Sequence, residues 1–92
     1  MDAYVDTQNS SLQVIAQITN FSEDGGNCIA TLTSGGKSNS VTVTAESNAS
    51  NTQCRMMEFA LGNVAKGSAR LIVKYESTTH SGLSQEMTVA IP

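Results

Sequence analysis

Apolar side chains in this chain recur at every second residue, in one short stretch after another, and nowhere hold a helical period of useful length. Leu12, Val14, Ala16 and Ile18 alternate with Gln13, Ile15, Gln17 and Thr19. Cys28, Ala30 and Leu32 alternate with Ile29, Thr31 and Thr33, and Val41, Val43 and Ala45 with Thr42 and Thr44. Ala69, Leu71, Val73 and Tyr75 alternate with Arg70, Ile72 and Lys74, and Met87, Val89 and Ile91 with Glu86, Thr88 and Ala90. Successive side chains of a strand point to opposite faces, so each stretch reads as a strand with one buried face. The stretch Cys54 to Leu61 does not hold a single phase, because Met56, Met57, Phe59 and Leu61 fall out of step. It reads as a strand with a bulge near Met56-Met57, one helical turn being the competing reading.

Turn chemistry separates these strands. Ser22 to Asn27 carries two glycines, and Ser34-Gly35-Gly36-Lys37 is a tight hairpin signal. Ser47 to Gln53, Gly62 to Ser68 and Ser77 to Ser84 are polar loops, with Val64 placed as an apolar plug. Pro92 ends the last ladder, having no N–H to donate. Residues 1–10 are polar and read as loose, or as a short edge strand over residues 3–6. The fold class is all-β: a single domain over residues 1–92, built as a β-sandwich of six to seven antiparallel strands, with a small barrel as the other solution. A chain of 92 residues has no room for a second domain.

Composition removes several functions. Five Lys plus Arg against eight Asp plus Glu give a net charge of −3, the wrong balance for a nucleic-acid binder. The longest unbroken apolar runs are three residues, such as Leu71-Ile72-Val73, so no membrane insertion by this segment is expected. The two cysteines, Cys28 and Cys54, lie 26 positions apart and cannot complete a four-ligand zinc site with the lone His80. They read as a structural disulfide, which implies an extracellular, oxidising location; two buried free thiols are the alternative. If successive strands alternate in direction, both cysteines fall at the same end of the fold, where a bridge closes.

The pattern Phe59-x-Leu61-x-x-Val64-x-x-Gly67-x-Ala69-x-Leu71-x-Val73-x-Tyr75, followed by a Ser/Gly loop and a terminal strand, resembles immunoglobulin-like and fibronectin type III-like modules of bacterial secreted and surface proteins. The match covers about a third of the chain. The Trp that antibody domains pack on their disulfide is missing, and the cysteines are too close in sequence for the inter-sheet bridge of such domains. The resemblance implies architecture and a non-catalytic accessory role; it identifies no site.

Residues suited to chemistry are few. Nucleophilic catalysis needs a base beside the nucleophile, and the one histidine, His80, lies in the polar loop Thr-Thr-His-Ser-Gly. Glu23-Asp24 sits in a turn and supplies too few oxygens for calcium. Lys74 alternates outward and Lys37 and Lys66 lie in turns, which argues against an internal Lys–Asn bond. No catalytic residue, metal ligand or cofactor is assigned, and an enzyme is not expected. Ile15, Ile29 and Ile72 fall on faces that should be wet.

Two functions remain. One is a structural or spacer module of a larger secreted or cell-surface protein, its partners being neighbouring domains of the same chain. The alternative is an adhesive or carbohydrate-binding module that meets a surface protein or glycan with the loops 20–27, 47–53 and 77–84, where Phe21 and His80 are the candidate contacts. An odd strand count would send the two termini to opposite ends, as a tandem spacer needs.

Overall fold

The computed structural model describes residues 2–18, 22–47, 51–84 and 86–92. In chain order the elements are β1 (Asp2–Asp6), β2 (Ser11–Ile15), β3 (Gln17–Ile18), β4 (Asn27–Ser34), β5 (Lys37–Ser47), β6 (Thr52–Cys54), β7 (Met57–Ala60), a single 3-10 turn (Leu61–Asn63), β8 (Gly67–Glu76), β9 (Ser81–Leu83) and β10 (Met87–Ile91). The protein is all-β with antiparallel pairing throughout; no α-helix occurs among the described residues.

One sheet is β1-β2-β7, and the other follows the path β10-β8-β4-β5-β6-β3, with β9 also on β8. The two are continuous. β2 and β3 are consecutive and differ by the single residue Ala16, and β6 runs into β7 through Arg55 and Met56. Ile18 lies opposite Thr52 and Gln17 opposite Gln53, whereas Val14 lies opposite Met57. The register therefore slips by one residue between the two segments, with Arg55 and Met56 facing Ile15. This is the bulge expected in the out-of-phase stretch, one position earlier than Met56-Met57. A bulge bends its strand and lets one strand serve two sheets at a corner. Both side chains of the bulge turn outward, while Cys54 and Met57 on either side point in.

β9 and β10 form a second interrupted strand. Leu83 lies opposite Lys74 and Met87 opposite Leu71, again a slip of one residue. Ser84 fills the gap: its N–H donates to the Val73 carbonyl at 2.8 Å and its Oγ accepts from the Val73 N–H at 2.9 Å. Treating each interrupted pair as one strand leaves seven runs, each antiparallel to its neighbours. The first run is the expected edge strand. Residues 2–6 are not loose: Asp6 accepts from the backbone N–H groups of Gln8 and Asn9 and from Asn9 Nδ2, which fixes the turn into β2.

The hairpin at Gly35-Gly36 joins β4 to β5 with both glycines at positive φ, 57° and 79°, as a two-residue turn requires. Inward residues of both sheets meet in one core: Leu12, Val14, Met57 and Phe59 from the first, Ala30, Leu32, Leu71, Val73 and Val89 from the second. Val64 is buried in it, as expected of the plug.

Cys28 and Cys54 form a disulfide with a Cα–Cα distance of 5.8 Å, buried at 0% and 2% exposure. They sit on β4 and β6, which are two places apart in the sheet with β5 between them. In a flat sheet such strands are separated by about 9.6 Å. The sheet therefore curls sharply around β5. At the bend Ala45 donates to the Gly26 carbonyl and Thr44 accepts from Arg55 N–H, so β5 is clasped from both sides. Replacing both cysteines by Ala should lower unfolding stability by about 3.5 kcal/mol, from the entropy of the 26-residue loop. Denaturant midpoints of the wild type with and without reductant, beside those of the double variant, measure it; equal midpoints would show that the bridge does not stabilise the fold.

Candidate functional site

Alternating strand directions bring the segments 22–26 and 77–80, with Asn51, to one end of the molecule. The residues described in those segments are tied to one another through two adjacent carboxylates. Asp24 Oδ1 accepts from the Ser47 N–H at 2.8 Å, which joins the first loop to the end of β5. Glu23 donates its own N–H to Thr52 Oγ1 at 3.1 Å, which joins it to β6. Its side chain reaches the third loop.

The Glu23 carboxylate is the hub. Oε1 accepts from the Tyr75 hydroxyl at 2.5 Å and from Ser77 Oγ at 2.8 Å. Oε2 accepts from Thr79 Oγ1 at 2.8 Å and lies 3.2 Å from His80 Nδ1. The loop that supplies these donors is itself tightly wound. Ser77 Oγ accepts from the N–H groups of Thr79 and His80, and Ser77 N–H donates to the His80 carbonyl. Gly26 makes room for the tyrosine: a Cβ there would lie 2.1 Å from the Tyr75 hydroxyl oxygen. Only a glycine lets the ring of β8 pass under the first loop to reach Glu23.

Donors of this number hold the ionised form. The Tyr75 hydroxyl first, then Ser77, followed by Thr79 and His80, bring the Glu23 carboxyl down from 4.5 to about 2. Hydrogen bonds to Ser47 lower Asp24 as well. Burial, then the hydrogen bond to Glu23, push the Tyr75 hydroxyl up. A carboxylate of such low basicity, with both oxygens engaged, is a poor proton acceptor near neutral pH. Its chemistry is that of a structural anion knotting loops together. No group of three or more His, Cys, Asp or Glu placed to hold a metal ion occurs among the described residues.

The sequence-derived candidates separate here. His80 is at the rim of this cluster, its side chain 44% exposed, with Thr79 Oγ1 3.0 Å from Nδ1. Phe21 lies outside the described residues. Glu23, Tyr75, Ser77 and Thr79 were not legible as a unit, since 52 residues or more separate the acid from its donors. The hydroxyl-rich run after the strongest strand, Ser77-Thr78-Thr79, is the one signal that pointed to them. Lys74 stands on the outer face, 3.4 Å from Glu76.

Outward apolar residues fall into two groups, apart from Leu83 on β9. Tyr4, Ile15 and Met56 are exposed, and all three stand on the outer face of β1-β2-β7 around the bulge. Ile29 and Ile72 are half-buried and occupy diagonal positions on β4 and β8, since Ile29 lies opposite Lys74 and Ile72 opposite Thr31.

A depressed carboxyl gives a definite sign to the pH dependence. Glu23 contributes stability at pH values above 4.5, and that contribution is lost as the pH falls toward 2. The melting temperature of the wild type should therefore fall between pH 5 and pH 2, and Glu23→Gln should show a shallower fall over that window together with a lower value at pH 7. Parallel curves for the two proteins would contradict the hub.

No family model matches the chain, and neither a curated protein nor a solved structure shows significant similarity to it.

Proposed function

We propose that this chain is a non-catalytic structural or spacer module of a larger secreted or cell-surface protein, folded as an immunoglobulin-like β-sandwich. The strand order supports the architecture. The β1-β2-β7 sheet and the β10-β8-β4-β5 part of the other divide the strands three and four, as a fibronectin type III-like module does. The buried cystine fits an oxidising compartment. No helix among the described residues is long and apolar enough to cross a membrane.

The observation that carries the spacer reading is parity. Seven alternating runs send β1 and β10 the same way, so the chain enters at one end and leaves at the other. Modules joined through such ends extend in a line, and each keeps its loop end and faces for neighbouring domains. The Glu23 cluster agrees with this, because its polar groups are directed at one another. A binding role has one feature in its favour, the gathering of the described parts of the three loops at one end with His80 at the rim.

Two measurements decide between these readings. On a glycan array and on cell surfaces the protein should give no saturable signal; a saturable signal lost in Phe21→Ala or His80→Ala would replace the spacer by a binding module. Protein isolated without reductant should carry no titratable thiol, and two thiols per chain would remove the extracellular assignment.

A further inference from the structure

β5 is paired on one side along Lys37–Thr44 and on the other only at Ala45–Ser47. The bonds at its bend show which groups point where. Ala45 N–H bonds toward β4, and the Thr44 carbonyl accepts from Arg55 on the opposite side. Backbone groups alternate along a strand. The even-numbered residues Ser38, Ser40 and Thr42 therefore aim their N–H and C=O away from β4, where no described strand pairs with them. Beside this flank the two sheets part into a shallow notch of about 150 Å³, with Asn39, Ser40 and Val41 on one wall and Phe59 and Val64 on the other.

Sheet edges left open invite pairing with other chains, and proteins usually guard them with charge, proline, bulges or short length. Among the described strands the other edges are guarded. β1 carries Asp2 and Asp6, β3 is two residues long, β7 is four residues long and carries exposed Glu58, and the β9–β10 edge has a register slip, Glu86 and Pro92. The stretch Ser38 to Ala45 has no charge and no proline and is rich in Val and Thr, residues that favour strands.

We propose that Ser38–Thr42 is a strand-addition site, and that its occupant is the same segment of a second copy, paired antiparallel about Ser40. The segment suits itself. In that register Ser38 meets Thr42 of the second copy and Ser40 meets Ser40, so outward hydroxyls lie opposite outward hydroxyls. They extend a hydroxyl row already present on this face, where Thr31 contacts Ser40 and Thr33 contacts Ser38 at 3.2 Å each. The Lys37 side chains of the two copies stand at opposite ends of the ladder, so no like charges face each other. A ladder this short buries far less than the roughly 1,200 Å² of a stable interface, so the contact is weak. It operates where copies are held close together, as modules on a crowded surface are.

Dilution of ¹⁵N-labelled protein from millimolar to micromolar concentration tests the site, with translational diffusion read alongside the amide spectrum. The Ser38, Ser40 and Thr42 amides should shift, and diffusion at the high end should slow toward that of a dimer. Ser40→Pro removes a donor on the open side and leaves the β4 ladder intact; Thr42→Lys adds the missing guard. Both variants should diffuse as monomers throughout, and Thr42→Lys serves alone if the proline variant does not fold. Unchanged diffusion of the wild type across the range would overturn the proposal. Association that survives both variants, with shifts at Tyr4, Ile15 and Met56 instead, would overturn it equally.

Discussion

The bend at β5 is the constraint on which the rest of the structure depends. Without it Cys28 and Cys54 would stand two strand spacings apart, beyond the reach of a disulfide. With it the antiparallel ribbon curls over and the inward faces of both sheets share one core. The bend has visible causes. Ala45, the residue clasped between Gly26 and Cys54, is small, and the bulge at Arg55-Met56 begins directly after the cystine. A larger inward side chain at 45 would crowd a position only 3% exposed.

The second organising element is the Glu23 carboxylate. Three neutral hydroxyls and an imidazole nitrogen surround it. A charge held by neutral donors is less sensitive to salt than an exposed ion pair such as Arg55–Glu46, whose side chains are well over half exposed. The loop end is therefore held by a partly enclosed anion, whereas the ion pairs of the sheet faces lie in solvent and contribute little.

Most of the strands were legible because a half-buried strand has a period of two, and Leu12, Cys28, Val41, Ala69 and Met87 each open a run that keeps it. The disulfide was legible through direction-counting, and the bulge through the phase break at Met56-Met57. The interruption of β9 and β10 was not, because Ser81 to Leu83 is exposed on every residue and carries no alternation. Nor was the division of β2 from β3: Leu12 to Ile18 stays in phase while the chain changes sheets at Ala16. The Glu23 cluster was hidden for a different reason. Its members come from two loops and a strand end, and only the folded topology brings them within hydrogen-bond distance. Ile15, Ile29 and Ile72 were read correctly as outward, but half-burial of the last two depends on neighbours across the sheet.

Entry and exit at opposite poles have a mechanical consequence. Tension applied through the two ends loads the chain lengthwise, and the outer runs must slide past their partners before the interior opens. The covalent link then limits how far the unravelled chain extends, because the 26-residue loop between Cys28 and Cys54 is bypassed by a single bridge. Contour length falls by about 90 Å relative to the reduced chain. The bridge thus sets a fixed stop to extension, and its reduction lengthens the chain's reach.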